Sequence, residues 1–199
     1  MDSSSKIIFL DFDGPLTNSR TALCYGGMFH FDPISIGGIG NICEVAEAKI
    51  VCTSIRARAD SHYKTLALFK EAGLNPRHLH DDWSSQTMRN TRESQIETWL
   101  ARHPEVTHYA IIDDDTVNLP NFIRVDVYDG ILRNNFEKIA KCLDIDLIDA
   151  FRCAEKKIEH DNSELMQLFW GKPKQLHIEF GLEEKKKNER ILECKRSLT

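Results

Sequence analysis

Three short runs of this chain are apolar throughout, without the alternation that marks a half-exposed strand: Ile7-Ile8-Phe9-Leu10, Ile50-Val51-Cys52 and Tyr109-Ala110-Ile111-Ile112. Runs of this length, rich in β-branched and aromatic residues, are expected to be strands buried on both faces of a parallel sheet. Between and after them the apolar period lengthens. Tyr63, Leu66 and Ala67 predict one face of a helix from about Asp60 to Ala72, with Asp60 or Ser61 as cap and Gly73 as stop. Ile96, Trp99 and Leu100 fall at helical spacing, and Phe136, Ile139, Ala140 and Leu143 form the stripe of another helix from about Leu132 to Leu143. Strands alternating with helices imply an α/β fold. Right-handed crossovers then place the carboxyl ends of all three strands on one edge.

Polar residues stop each run at that edge. The first ends in Asp11-Phe12-Asp13-Gly14, the second in Thr53-Ser54, the third in Asp113-Asp114-Asp115. Open α/β sheets bind ligands there. Side chains at i and i+2 of an extended segment project to one side, so Asp11 and Asp13 converge on a small volume. Two carboxylates that close need a cation or a shared proton. Mg²⁺ with a phosphate ester satisfies them. An isolated Asp-x-Asp is commonly a solvated turn, and Thr53 or Ser54 could serve only to cap a helix. Three such features after three apolar strands point instead to one assembled site.

With these motifs the chain resembles the haloacid dehalogenase (HAD) superfamily of phosphohydrolases over roughly residues 6 to 143. The resemblance implies Asp11 as nucleophile and Asp13 as general acid/base. It implies Thr53 or Ser54 as ligand of the transferring phosphoryl group, and Asp11, Asp13 through its backbone carbonyl, Asp113 and Asp114 as the Mg²⁺ site. The pattern Arg92-x-x-Gln95-Ile96-x-x-Trp99-Leu100 is also similar to a HAD subgroup associated with RNA-repair proteins. The expected fold is a HAD-like Rossmannoid parallel sheet flanked by helices: a phosphatase core over residues 1–143 and a short helical C-terminal extension over 144–199.

Two positions depart from the family pattern. Pro15 stands where Thr or Val is usual, removing a backbone donor and fixing φ in the turn after Asp13. The cation of the third motif has no single candidate; Arg92 is best placed, as a phosphate-binding residue, with Arg89 and Lys70 as alternatives. The usual insertion point for a cap domain holds only Asn18 to Phe31, where Gly26-Gly27 predicts a hairpin-like flap. Capless members of the family tend to act on macromolecules.

Composition narrows the class. The chain has 199 residues, 41% of them hydrophobic, enough for one α/β domain with a modest extension. A net charge of −5 weighs against a nucleic-acid binder that relies on a bulk positive field. Six cysteines without paired spacing read as reduced thiols in a cytoplasmic protein. Met1-Asp2-Ser3-Ser4-Ser5 is unlike a cleavable signal, and no run approaches the ~18 apolar residues of a membrane span. Export independent of a signal stays open. The His residues form no ligand-spaced set with Cys, which weighs against zinc.

Cys52 and Arg58 have the Cys-x5-Arg spacing of cysteine-based phosphatases, a rival mechanism. That loop lacks the glycine a tight phosphate cradle needs, and the apolar flank of Cys52 disfavours a thiolate. Beyond Leu143, Leu147, Ile148, Phe151, Ala154 and Ile158 form a helical stripe, and Glu183 to Arg196 is a charge-dense, solvated helix. The resulting expectation is an Mg²⁺-dependent phosphatase forming an aspartyl-phosphate at Asp11, acting on phosphorylated protein with phosphotyrosine favoured. Nucleic-acid ends or nucleotides are the alternative substrates. A non-catalytic HAD scaffold that binds a partner is the alternative of another class.

Overall fold

β1 (Lys6–Leu10) lies at the centre of a five-stranded, wholly parallel sheet in this computed structural model, between β2 (Lys49–Cys52) and β4 (His108–Asp113). β3 (Leu79–Ser84) and β5 (Phe122–Arg124) form the edges, giving the order β3-β2-β1-β4-β5. The structure describes residues 5–26, 30–54, 62–84 and 91–153, all within the first of the chain's two units, Met1–Ala154. The expected charged helix over 183–196 lies outside the described residues.

The alternation of β1 divides the core. Ile8 and Leu10 face one layer with Ile50, Ile112 and the helices α2 (Pro33–Ala46), α3 (His62–Ala72) and α5 (Arg133–Cys142). Ile7 and Phe9 face the other layer with Val51, Ile111 and Ile96 and Trp99 of α4 (Arg92–Arg102). The Trp99 ring meets Phe9 edge-on at 5.3 Å. Both faces of β1 are therefore dry, which explains its unbroken apolar run.

The stripe Phe136, Ile139, Ala140 and Leu143 is buried as expected. Two stripes are corrected. α3 stops at Gly73, which takes φ +88°, but it buries Thr65 and Phe69 and leaves Tyr63 80% exposed. Past α5, Leu147 and Ala150 pack on the core, whereas Ile148 and Phe151 are exposed. Asp60, Ser61, Ala154 and Ile158 lie outside the described residues.

The flap is corrected as well. Residues 19 to 25 form a helix, α1 (Ser19–Tyr25), capped by the Asn18 side chain and ended by Gly26 at φ +74°. The glycine expected to turn a hairpin instead closes a helix. Buried Asp32 fixes this segment. Its Oδ2 accepts from Asn18 at 3.2 Å, Arg20 at 2.8 Å and Ser35 at 2.8 Å, and its Oδ1 caps α2 through Ile34 N–H at 3.1 Å. α1 is also held from the far side, because Ser19 and Arg20 N–H donate to the carbonyls of Val127 and Tyr128.

Candidate active site

The parallel register brings the polar strand ends level. Leu10 pairs with Cys52 on one side and Ile112 on the other, and Asp11 N–H continues the ladder to Ile112 C=O at 3.0 Å. Thr53 N–H donates to Leu10 C=O at 3.0 Å. Thr53 and Ser54 are both fully buried beside the strand that carries Asp11.

Asp11 is buried, and its two oxygens have different partners. Oδ1 accepts from Phe12 N–H at 2.8 Å, and Oδ2 accepts from Arg92 Nη1 at 3.0 Å. The same Arg92 nitrogen donates to Asp113 Oδ2, so one guanidinium bridges acids from two strands. Arg92 can do this because it is the first residue of α4, capped by Thr91, and so stands at the sheet edge. Of the other candidates for the third-motif cation, Lys70 is exposed on α3 and Arg89 lies outside the described residues.

The turn after Asp11 is tight. Leu16 and Thr17 N–H both donate to Phe12 C=O at 2.9 Å, and Gly14 N–H donates to Thr17 C=O at 2.8 Å. None of these bonds uses the nitrogen of Pro15, so the proline is accommodated without losing a donor. Asp13 is exposed, and its Oδ1 accepts from Thr17 Oγ1 at 3.1 Å.

Asp11, Asp113 and Asp114 each offer a carboxylate oxygen, the three within 4.8 Å of one another. The carboxylate of Asp13 is not one of that set and lies exposed. Burial, with repulsion from Asp11, pushes Asp113 up to about 6 against the opposing pull of Arg92. Burial likewise raises Asp114. Arg92 pairs with Asp11 and Asp113, and the three carboxylates together carry more negative charge than that guanidinium offsets, on hard oxygen donors. That donor set fits a divalent cation such as Mg²⁺.

Cys52 does not fit the cysteine mechanism. It is fully buried, and burial together with the nearby Asp11 carboxylate raises its pKa, so the thiol stays protonated. Arg58 lies outside the described residues.

A family model described as the HAD domain in Swiss Army Knife RNA repair proteins matches residues 7–136. The chain belongs to this family. The match spans all five strands of the sheet and every acid of the cluster, so the HAD-type phosphohydrolase reading drawn from the three motifs stands. No curated protein and no solved structure matches this chain. Among the described residues no helix of this HAD domain is long and apolar enough to cross a membrane.

Two features of the HAD domain had no sequence-level reading. Gly14 approaches Asp114 so closely that a side chain there is excluded, and Asp32 anchors α1. The glycine directly after Asp13 was the signal for the first. For the second, Asp32-Pro33 was a cap signal for α2, but the reach back to Asn18 and Arg20 is tertiary and no local pattern shows it.

Proposed function

We propose that this HAD domain is an Mg²⁺-dependent phosphatase that removes a terminal phosphate monoester from nucleic acid through an aspartyl-phosphate at Asp11. The observation that carries the reading is the bridge from Arg92 to Asp11 and Asp113, beside Asp114. A guanidinium anchored at the nucleophile through one nitrogen can donate to the equatorial oxygens of a phosphoryl group.

Asp11 attacks phosphorus, and the bond to the leaving oxygen breaks as Asp13 delivers its proton there. Asp13, now a carboxylate, takes a proton from water. The water oxygen attacks phosphorus and breaks its bond to Asp11, releasing phosphate. General acid–base help of this kind is worth ~10²- to 10⁴-fold. Thr53 or Ser54 donates a hydroxyl to the phosphoryl oxygens. The carboxylates of Asp11, Asp113 and Asp114 would hold Mg²⁺, whose charge would offset that of the acids and the phosphate so that they can approach.

The family's description with RNA repair moves nucleic-acid ends ahead of the phosphoprotein expected from the sequence. The acidic charge is compatible with this. Reading a strand end needs few backbone phosphate contacts, whereas a bulk positive field serves proteins that lie along the duplex. The test sets a 3′- or 5′-phosphorylated oligonucleotide against a phosphotyrosyl peptide and an aryl phosphate. Faster phosphate release from the oligonucleotide, abolished by Asp11→Asn, is expected. Faster release from the peptide would return the substrate to protein, and no release from any of the three would leave a scaffold.

A further inference from the structure

A groove of about 640 Å³ opens directly beside the acid cluster, lined by Asp114, Asp115, Arg124, Val125, Asp126 and Val127. Asp114 thus belongs both to the candidate metal site and to the groove wall. Arg124, the last residue of β5, is exposed and is the sole cation among the lining residues. Its Nε donates to Asp114 C=O at 3.3 Å, tying the guanidinium to the loop that carries the acids.

Beside the lining residue Val127 the chain places a second exposed residue, Tyr128, next in sequence. Val127 is 43% exposed and Tyr128 67% exposed, at the tip of a turn. That turn is closed by Gly130 N–H to Asp126 C=O at 2.9 Å and by the Asp126 carboxylate accepting from Tyr128 N–H at 2.7 Å. The carbonyls of Val127 and Tyr128 are held by α1. A tyrosine kept in water on a backbone fixed at so many points contributes little to the core. Its backbone is already fixed, so binding has only the side chain to order.

Resting on the nucleic-acid reading above, we propose that this groove is the subsite for the terminal nucleotide of a single strand, its base stacked on Tyr128 and its neighbouring phosphodiester held by Arg124. One stacking ring and one cation suit an end of a strand. Three acids in the same groove repel any longer run of phosphates, so the strand leaves the site after this nucleotide.

The test compares kcat/KM for a phosphorylated single-stranded oligonucleotide with kcat/KM for an aryl phosphate in wild type, Tyr128→Ala, Tyr128→Phe and Arg124→Gln. Tyr128→Ala and Arg124→Gln should each lower the ratio of the two by about tenfold, chiefly through KM for the oligonucleotide. Tyr128→Phe should keep the ratio, because the ring remains. A wild-type protein that does not favour the oligonucleotide overturns the nucleic-acid reading and the subsite with it. A wild type that favours it, with Tyr128→Ala and Arg124→Gln keeping the ratio, overturns the subsite alone.

Discussion

Gly14 and Asp114 touch across the site: a Cβ built on Gly14 would stand 2.6 Å from the Cβ of Asp114. The loop after β1 therefore sets where the acid after β4 can be. Gly14 also holds φ +83°, which a side chain would strain by ~1–2 kcal/mol. Gly14→Ala should push Asp114 out of the cluster. Turnover of an aryl phosphate should fall by roughly 10²-fold, since a shift of about 1 Å is enough for that. Urea denaturation should show a loss of only the ~1–2 kcal/mol of backbone strain, leaving the variant folded in the assay. Equal damage to stability and turnover would mean that the glycine serves the fold only.

Arg92 compensates two buried acids with one nitrogen. Arg92→Ala should leave Asp11 and Asp113 repelling each other and cost about 3 kcal/mol in metal-free protein. Adding Asp113→Asn to that variant should restore part of the loss by removing the uncompensated charge, a coupling that a double-mutant cycle in urea reads directly. Additive losses would show that the bridge carries no energy.

The acids of the candidate site were legible because they interrupt apolar runs at strand ends, where neither core nor turn propensity requires an acid. Asp11, Asp113 and Asp114 meet as that argument expects. The elements that escaped are those whose pattern is set by tertiary contact. α2 contains Gly37, Gly38 and Gly40, which argue against a helix. Yet a Cβ on Gly38 would lie 2.3 Å from the Phe136 ring, so the glycine is there to admit α5. β3 reads as Leu-His-Asp-Asp-Trp-Ser because it is an edge strand, with only its first two residues buried. β5 has three residues, too few for any period to show. The misjudged face of α3 has a similar cause: its inward positions include Thr65, which hydropathy assigns to solvent.

The cysteines give a test of the chemistry that was set aside. Cys24 is exposed, whereas Cys43 and Cys52 are buried. Iodoacetamide at mildly alkaline pH should label Cys24 in the native protein and reach Cys43 and Cys52 only on unfolding. Burial, followed by the neighbouring Glu44, raises Cys43 from about 9 to about 12. A raised thiol keeps its proton in the folded state after the unfolded chain has lost it. Its contribution to stability is therefore whole below about pH 9 and lost as the pH rises towards 12. Cys52→Ala should keep most of the phosphatase activity, and loss of turnover in a folded Cys52→Ala protein would revive the cysteine mechanism.

Asp32 ties α1 to α2 through donors on every side of its carboxylate. Asp32→Asn places an NH₂ against one of those donors in either orientation, at a cost of about 2 kcal/mol. Because α1 also holds the Val127–Tyr128 turn, amide exchange should accelerate in both segments together. Faster exchange in α1 with an unchanged turn would show that the turn is fixed without it.

Removing metal provides the broadest check. The cluster presents three carboxylates to one arginine, so excess chelator should silence turnover and Mg²⁺ should restore it. Ca²⁺ should bind and inhibit, because its longer, looser coordination suits neither the spacing nor the octahedral order that Mg²⁺ imposes. Binding should also be visible without substrate: Mg²⁺ should raise the Tm of the wild type, and it should raise that of Asp114→Asn much less. Burial holds Asp113 up near 6, and a carboxylate must be ionised to bind metal, so the Mg²⁺-induced rise in Tm should be larger at pH 7.5 than at pH 5.5. Full activity in excess chelator, or a Tm indifferent to Mg²⁺ at both pH values, would mean that Arg92 alone balances the acids.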